Sequence, residues 1–154
     1  IPIIVGGGIY DGEDIHRLLK LGADGVQMAT RFVTTNECDA KDGFKQTYIR
    51  CKKQDIEIIK SPVGMPGRVV ANQFTKDVIN DKKKPFACIY HCITTCKKKE
   101  SPYCIALALQ NAQKGRMSHG FAFAGENAYR SNKIISVKEL MQNLKNEYKN
   151  ACLI

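Results

Sequence analysis

Two short apolar segments, each followed at once by a turn, constrain the fold of this chain more than any other feature. Residues 1–5 are apolar and run directly into three glycines at 6–8. A short apolar run rich in β-branched residues and closed by glycines is typical of a buried parallel strand. Residues 24–28 predict a second strand, which runs into a turn at 29–31. The two segments therefore predict part of a parallel sheet.

The residues between these strands predict a helix. Asp11 suits the N-cap position, and Glu13 and Asp14 fall in the first turn. Gly22 is placed to end the helix. A strand, a glycine turn, a helix and a second strand in this order form a βαβ unit, which predicts an α/β fold.

Both strand-to-helix turns are suited to binding an anion. Glycines at such a turn allow backbone N–H groups to approach a ligand closely, and a helix N-terminus favours negative charge. The second turn adds the hydroxyl group of Thr30. Two successive turns around one phosphate are the arrangement of the last two loops of a (β/α)₈ barrel. The alternative for the glycines alone is a tight turn without a ligand.

A Rossmann-type dinucleotide site does not fit the same residues. Its motif needs a third glycine where this chain has Asp11, and an acidic residue near the end of the second strand. That strand ends at Met28 instead. We therefore exclude a Rossmann fold.

These segments resemble a known family. Residues 1–12 and 22–32 resemble the nitronate monooxygenases, formerly called 2-nitropropane dioxygenases, and their relatives, the FMN-dependent type II enoyl-acyl-carrier-protein reductases. Residues 61–68 and 123–129 resemble the C-terminal part of the same family. The resemblance covers nearly the whole chain but only the second half of the family's domain. The 154 residues, which would suit one complete domain, are therefore expected to be part of a larger one.

The resemblance implies a fold and a division of the chain. The fold is α/β: the C-terminal part of an FMN-binding TIM (β/α)₈ barrel with a mostly helical C-terminal extension. Residues 1–52 would hold the last two βα units, with the FMN phosphate-binding loops. Residues 53–132 would form a family-specific extension with a cysteine-rich segment and a loop that covers the pocket. Residues 133–154 would form a C-terminal helix.

The resemblance also implies the cofactor site. The positions that match the family's FMN-binding loops are Gly7, Gly8, Gln27, Met28, Ala29, Thr30 and Gly125. The family usually has glycine at the position of Ala29, and an added methyl group is tolerable there if φ is negative. The family's catalytic histidine is expected upstream of this chain. His16, His91 and His119 are expected to have surface or structural roles.

The implied reaction is the FMN-dependent oxidation of alkyl nitronates by molecular oxygen. The alternative within the family is the reduction of enoyl thioesters with NAD(P)H. Both imply a small-molecule substrate and a cytoplasmic enzyme. The oligomeric state is left open, with a homodimer as the candidate. The reductase alternative also implies an acyl-carrier-protein partner.

Four of the seven cysteines fall within 17 residues, as Cys88-x₃-Cys92-x₃-Cys96-x₇-Cys104. This spacing matches no common zinc or iron–sulfur pattern. We favour reduced or buried thiols over a metal site, and a disulfide least. A non-catalytic metal-binding module built on this segment is the alternative from another class. Cys38, Cys51 and Cys152 are expected to be packing or surface residues.

The formal net charge of +9 comes largely from lysines, with dense clusters at 82–84 and 97–99. Only 8% of the residues are aromatic, none is Trp, and no nucleic-acid-binding motif is present. We therefore predict no nucleic-acid partner. No apolar run approaches the roughly 18 residues that span a bilayer, so no membrane span is expected.

The remaining patterns predict further elements. A helix is expected over 34–54, with Phe44, Tyr48 and Ile49 on its apolar side, followed by a strand at 56–59. A helical pattern resumes at 69–79 and breaks at 82–85. Another helix is expected to start at Ser101, as N-cap, and Pro102, and to end at Gly115. A capping box formed by Ser136 and Glu139 is expected to open the last helix.

Overall fold

The computed structural model describes residues 1–84, 86–94 and 96–153. Strand β1 (Ile4–Gly6), helix α1 (Gly12–Lys20) and strand β2 (Gly25–Gln27) follow one another. The two strands pair in parallel, with Ile4 opposite Gly25 and Gly6 opposite Gln27. The predicted βαβ unit and the α/β class are confirmed, although each strand has three residues.

Both predicted ends of α1 are confirmed. The Asp11 side chain accepts a hydrogen bond from the Asp14 amide at 2.9 Å. At the other end Gly22 has φ of 100°, and its N–H donates to the Leu19 carbonyl at 3.0 Å. These are the N-cap and the left-handed glycine that a helix of this kind uses.

The helix expected over 34–54 is shorter than predicted: within this range α3 spans Asp42–Ile49 and contains Phe44 and Tyr48. A separate short helix, α2 (Thr30–Val33), precedes it. The chain between them is extended because the backbone of Thr35 pairs with Ile135, and the Asn36 N–H donates to the Ile135 carbonyl. This tertiary pairing overrides the local helical pattern.

An antiparallel hairpin follows, formed by β3 (Ile56–Lys60) and β4 (Pro66–Val70). Helix α4 (Gln73–Ile79) begins later than predicted, because residues 69–70 belong to β4. Asn72 is its N-cap: the Asn72 side chain accepts from the Thr75 amide, and the Thr75 hydroxyl accepts from the Asn72 amide. The predicted break at 82–85 is described only through residue 84, where no helix continues.

Helix α5 (Ile105–Gln113) also begins later than predicted. Ser101 is not its N-cap, since the Ser101 hydroxyl donates to the Lys97 carbonyl, and Cys104 holds the cap position. The predicted end is confirmed by Gly115, whose φ is 76°.

Helix α6 (Val137–Ala151) is the last helix of the described chain. The Ser136 hydroxyl accepts from the Glu139 amide at 3.1 Å, which confirms one half of the predicted capping box. The Glu139 carboxylate contacts Lys133 instead of the cap. Three short 3₁₀ helices lie at Lys53–Asp55, Met117–His119 and Ala128–Arg130. No helix among the described residues is long and apolar enough to cross a membrane.

The largest buried cluster lies between the hairpin, α4, α5 and the segment after residue 120. Phe74 packs against Tyr103 and Phe121 with ring centroids 5.3 and 5.8 Å apart. Residues 122–124 continue beside β4, where the Val70 amide donates to the Ala122 carbonyl. The segment 120–130, called the 120–130 loop below, also reaches the βαβ unit, where the Asn127 side chain donates to the Gly8 carbonyl.

Candidate functional site

A cavity of about 370 Å³ lies where β1 and β2 meet the turns that follow them. All seven residues predicted for the cofactor site line it, together with three that were not predicted. The lining residues are Gly6, Gly7, Gly8, Ile9, Gln27, Met28, Ala29, Thr30, Gly125 and Asn127. Segments far apart in the sequence therefore converge on one opening.

The first turn depends on the backbone freedom of glycine. Gly7 has φ of 92° and Gly8 has φ of 72°, both in the left-handed region that side chains disfavour. A Cβ atom built at either position would have no heavy atom within 4 Å. Conformation rather than space therefore requires glycine here, and the open backbone is accessible from the cavity.

The second turn accommodates the alanine that departs from the family pattern. Ala29 has φ of −129°, so its methyl group causes no backbone strain. Next to it, the Thr30 Oγ1 atom accepts a hydrogen bond from the Gly125 amide at 3.1 Å. The hydroxyl hydrogen of Thr30 is then free to be donated into the cavity.

The 120–130 loop joins both turns. A Cβ atom on Gly125 would lie 2.7 Å from Thr30 Oγ1, so the close approach requires glycine. Two residues later, the Asn127 side-chain amide donates to the Gly8 carbonyl at 2.7 Å. This hydrogen bond holds the Gly8 peptide in place. Sequence reasoning missed Asn127, although it lies within the segment 123–129 that resembles the family.

The N-terminus of α1 is not available to a ligand, contrary to expectation. The Asp14 carboxylate accepts from the Tyr10 amide at 2.9 Å, and the Glu147 carboxylate accepts from the Gly12 amide at 3.0 Å. Partial burial would raise the pKa of Asp11, but the Asp14 amide and the Arg130 guanidinium together hold that pKa below its ordinary value. Protein carboxylates thus occupy the positive end of the helix.

The cavity itself is neutral. None of its lining residues carries a charge at neutral pH. Nearby, the Arg31 guanidinium is paired with the Glu147 carboxylate at 2.9 Å and lies over the Tyr10 ring. An anion in this cavity would therefore be held by backbone N–H groups and a hydroxyl rather than by a cation.

No histidine lines this cavity. His91 is exposed, and His119 is hydrogen-bonded to Ser118 beside a different cavity. His16 was expected to be a plain surface residue, but its Nδ1 atom lies 3.1 Å from the Sγ atom of Cys152. Cys152 was expected to be a packing or surface residue and is exposed, and its contact with His16 joins two positions 136 residues apart.

The cysteine-rich segment forms no preassembled metal centre. All seven cysteines are free thiols, and no group of three metal-ligating side chains comes together in the described ranges. Cys88, Cys92 and Cys96 lie outside any helix, so they do not share the helical face that steps of four would create. Cys51 is buried, as expected for a packing residue, and its burial, with Asp55 nearby, raises the pKa of its thiol to about 11.

Comparisons with known proteins identify relatives of this chain. The sequence profile of the family described as nitronate monooxygenase matches residues 1–147. A probable nitronate monooxygenase of Staphylococcus saprophyticus is 32% identical over 102 residues, which cover 66% of this chain and 29% of the relative. A carboxyl-CoA dehydrogenase of Rhodococcus jostii, named for a hydroxy-methyl-oxo-octahydroindene substrate, is 40% identical over 70 residues, or 46% of this chain and 20% of that protein.

A solved structure is similar over nearly the whole chain. FabK from Thermotoga maritima superposes with a TM-score of 0.78 at 25% identity, covering 99% of this chain and 45% of that one. The fold and the site define an α/β protein in which the turns that follow the two strands of one βαβ unit line the same cavity. The chain belongs to the nitronate monooxygenase family and spans less than half the length of these relatives.

Proposed function

We propose that this chain supplies the phosphate-binding part of an FMN site in an oxidoreductase of the nitronate monooxygenase type. The convergence of two strand-to-helix turns and the 120–130 loop on one cavity carries the proposal. The proposed context is a TIM barrel to which β1 and β2 contribute the seventh and eighth strands. The proposed reaction is the oxidation of alkyl nitronates by molecular oxygen.

The cavity residues fit a phosphate group. The left-handed glycines leave the first turn free of side chains, and Thr30 retains a hydroxyl hydrogen to donate. Hydrogen bonds from neutral donors to a charged acceptor contribute about 1.5–3 kcal/mol each. In this proposal the turns around Gly7, Gly8 and Ala29 bind the phosphate, Thr30 donates a further hydrogen bond, and Asn127 fixes the Gly8 peptide. When bound, FMN supplies the electron transfer.

Two matched glycine substitutions test the binding site. Gly8 and Gly22 both have positive φ, and neither would place a Cβ atom within 4 Å of other atoms. Only Gly8 lines the cavity. Gly8→Ala and Gly22→Ala should therefore cost a similar free energy of unfolding, about 1 kcal/mol. Gly8→Ala alone should weaken FMN binding, about tenfold if one charge-assisted hydrogen bond is lost. FMN fluorescence titration and urea denaturation measure the two quantities.

The result separates binding from general strain. Equal FMN affinities in the two variants would contradict the phosphate site. If both variants lost affinity in proportion to their lost stability, strain and not the site would explain the loss, which would also contradict the proposal.

A reductase of enoyl thioesters is the second candidate. The likeness to FabK and to a relative named as a carboxyl-CoA dehydrogenase favours it. Oxygen consumption with an alkyl nitronate, compared with NAD(P)H oxidation with an enoyl thioester, decides between the two reactions. Turnover of the nitronate alone supports the first candidate, and turnover of the thioester alone supports the second. In the second case, the lysine clusters at 82–84 and 97–99 are the surface to test for an acyl-carrier-protein partner.

A further inference from the structure

A thiol, an imidazole and a phenol meet where the end of α6 packs against α1. His16 Nδ1 lies 3.1 Å from Cys152 Sγ, and the His16 and Tyr148 ring centroids are 5.8 Å apart. Cys152 is exposed, whereas His16 and Tyr148 are half-buried. None of the three lines the 370 Å³ cavity beside β1 and β2, so the proposed flavin site does not account for the cluster.

The cluster places a proton acceptor beside the thiol. An imidazole within hydrogen-bond distance of a thiol can accept its proton and then donate to the sulfur. The neighbouring Cys152 thiol raises the pKa of the Tyr148 phenol, so this hydroxyl stays protonated. The C-terminal end of α6 disfavours negative charge at Cys152. Once it carries the proton, the His16 ring offsets this effect.

Space for a small reagent lies beside the cluster. A second cavity, of about 650 Å³, is lined by His16 on α1 and by Asn150 and Ala151, the residues just before Cys152. The exposed sulfur and the adjoining cavity give a small electrophile access from solvent.

We propose that Cys152 is a site of thiol–disulfide exchange with small disulfides, with His16 as its general base. The His16 ring takes the thiol proton, and the Cys152 sulfur attacks one sulfur of the disulfide. The disulfide bond breaks, one half of the reagent stays on Cys152 as a mixed disulfide, and the other half leaves as a thiolate that takes up the proton. The reagent is the oxidant, and no flavin is involved.

The test uses dipyridyl disulfide, a neutral probe, on the purified protein that contains this chain. The released thione is followed by absorbance, and peptide mass mapping identifies the modified cysteine. Cys92 is the matched control, because it is also exposed and no hydrogen bond in the described ranges links it to an imidazole. Cys152 should react roughly tenfold faster than Cys92. His16→Gln should lower the Cys152 rate to that of Cys92 and leave the Cys92 rate unchanged.

Two results would overturn the proposal: equal rates for Cys152 and Cys92 in the unaltered protein, or a Cys152 rate that His16→Gln leaves unchanged. Cys51 reports on folding, because it is 6% exposed and should stay unreactive in a folded variant. If Cys51 becomes reactive in His16→Gln, His16→Asn replaces it as the deciding variant. His16→Asn also removes the imidazole, and the proposal then requires the Cys152 rate to fall to that of Cys92.

Discussion

The βαβ unit and the segment between α4 and α5 show how differently two conspicuous sequence patterns translate into structure. The βαβ unit is tied to distant parts of the chain: Asn127 to Gly8, Gly125 to Thr30, and Glu147 to both Gly12 and Arg31. The segment 80–104 contains four cysteines and six lysines in two clusters, but its described residues form no helix or strand. Its cysteines and lysines are closely spaced, as are the glycines at 6–8, but they do not determine a regular backbone structure in the described residues.

The difference lies in what each pattern specifies. Glycines between a strand and a helix specify backbone angles, and Gly7 and Gly8 adopt the left-handed angles that only glycine adopts readily. Thiol spacing specifies only which atoms are available, because the backbone between the thiols is unconstrained. The lysines are also partly neutralised within the segment and beside it, as the pairs Lys84–Asp77 and Lys97–Glu100 show.

The largest loss of stability is expected at Gly12, where α1 meets α6. A Cβ atom there would lie 2.1 Å from the Tyr148 backbone nitrogen, so Gly12→Ala must separate the two helices. We expect a loss of about 3 kcal/mol in the free energy of unfolding, measured by urea denaturation. Glu13→Ala is the control, because Glu13 is the exposed next residue, and it should cost less than about 0.5 kcal/mol. A similar small loss for both variants would show that α6 does not hold the βαβ unit.

The sequence predicts the βαβ unit and the residues that line the cavity at its turns well, and the rest less well, for identifiable reasons. Asp11, Gly22 and Gly115 act locally, through a cap or a backbone angle, so their roles follow from sequence alone. The shift of the α4 start to Gln73 comes from pairing between β3 and β4, and the gap after α2 comes from pairing between Thr35 and Ile135. Such long-range pairings have no local pattern.

The contacts that the sequence did not predict at the two sites are also long-range. Asn127 faces Gly8 across 119 residues, and His16 faces Cys152 across 136 residues. Each contact depends on how the 120–130 loop or α6 packs against the βαβ unit. Spacing within a segment predicts neighbours on one element, but it cannot predict which elements meet.

An intermediate effect is expected where the segment 80–104 is anchored to α4. Hydrogen bonds from Lys84 and Gln73 lower the pKa of Asp77 to about 2. An unfolded aspartate has a pKa of about 3.9, so this interaction stabilises the folded state above about pH 4 and is lost as the pH falls towards 2. Asp77→Asn should lower the urea midpoint at neutral pH and flatten its decline below about pH 4. Parallel pH profiles for both proteins would contradict a stabilising role for this anchor.

The smallest effect is expected within the cysteine-rich segment itself, at Cys92. Its thiol is exposed, so Cys92→Ser should change the free energy of unfolding by less than about 0.5 kcal/mol. Cys51→Ser is the contrasting variant, because a hydroxyl buried at that position should cost about 1–3 kcal/mol. Metal analysis of the unaltered protein and of Cys92→Ser completes the test. If Cys92→Ser released bound zinc or iron and destabilised the fold more than Cys51→Ser, the thiol spacing would specify a structure after all, and the contrast with the glycine turns would fail.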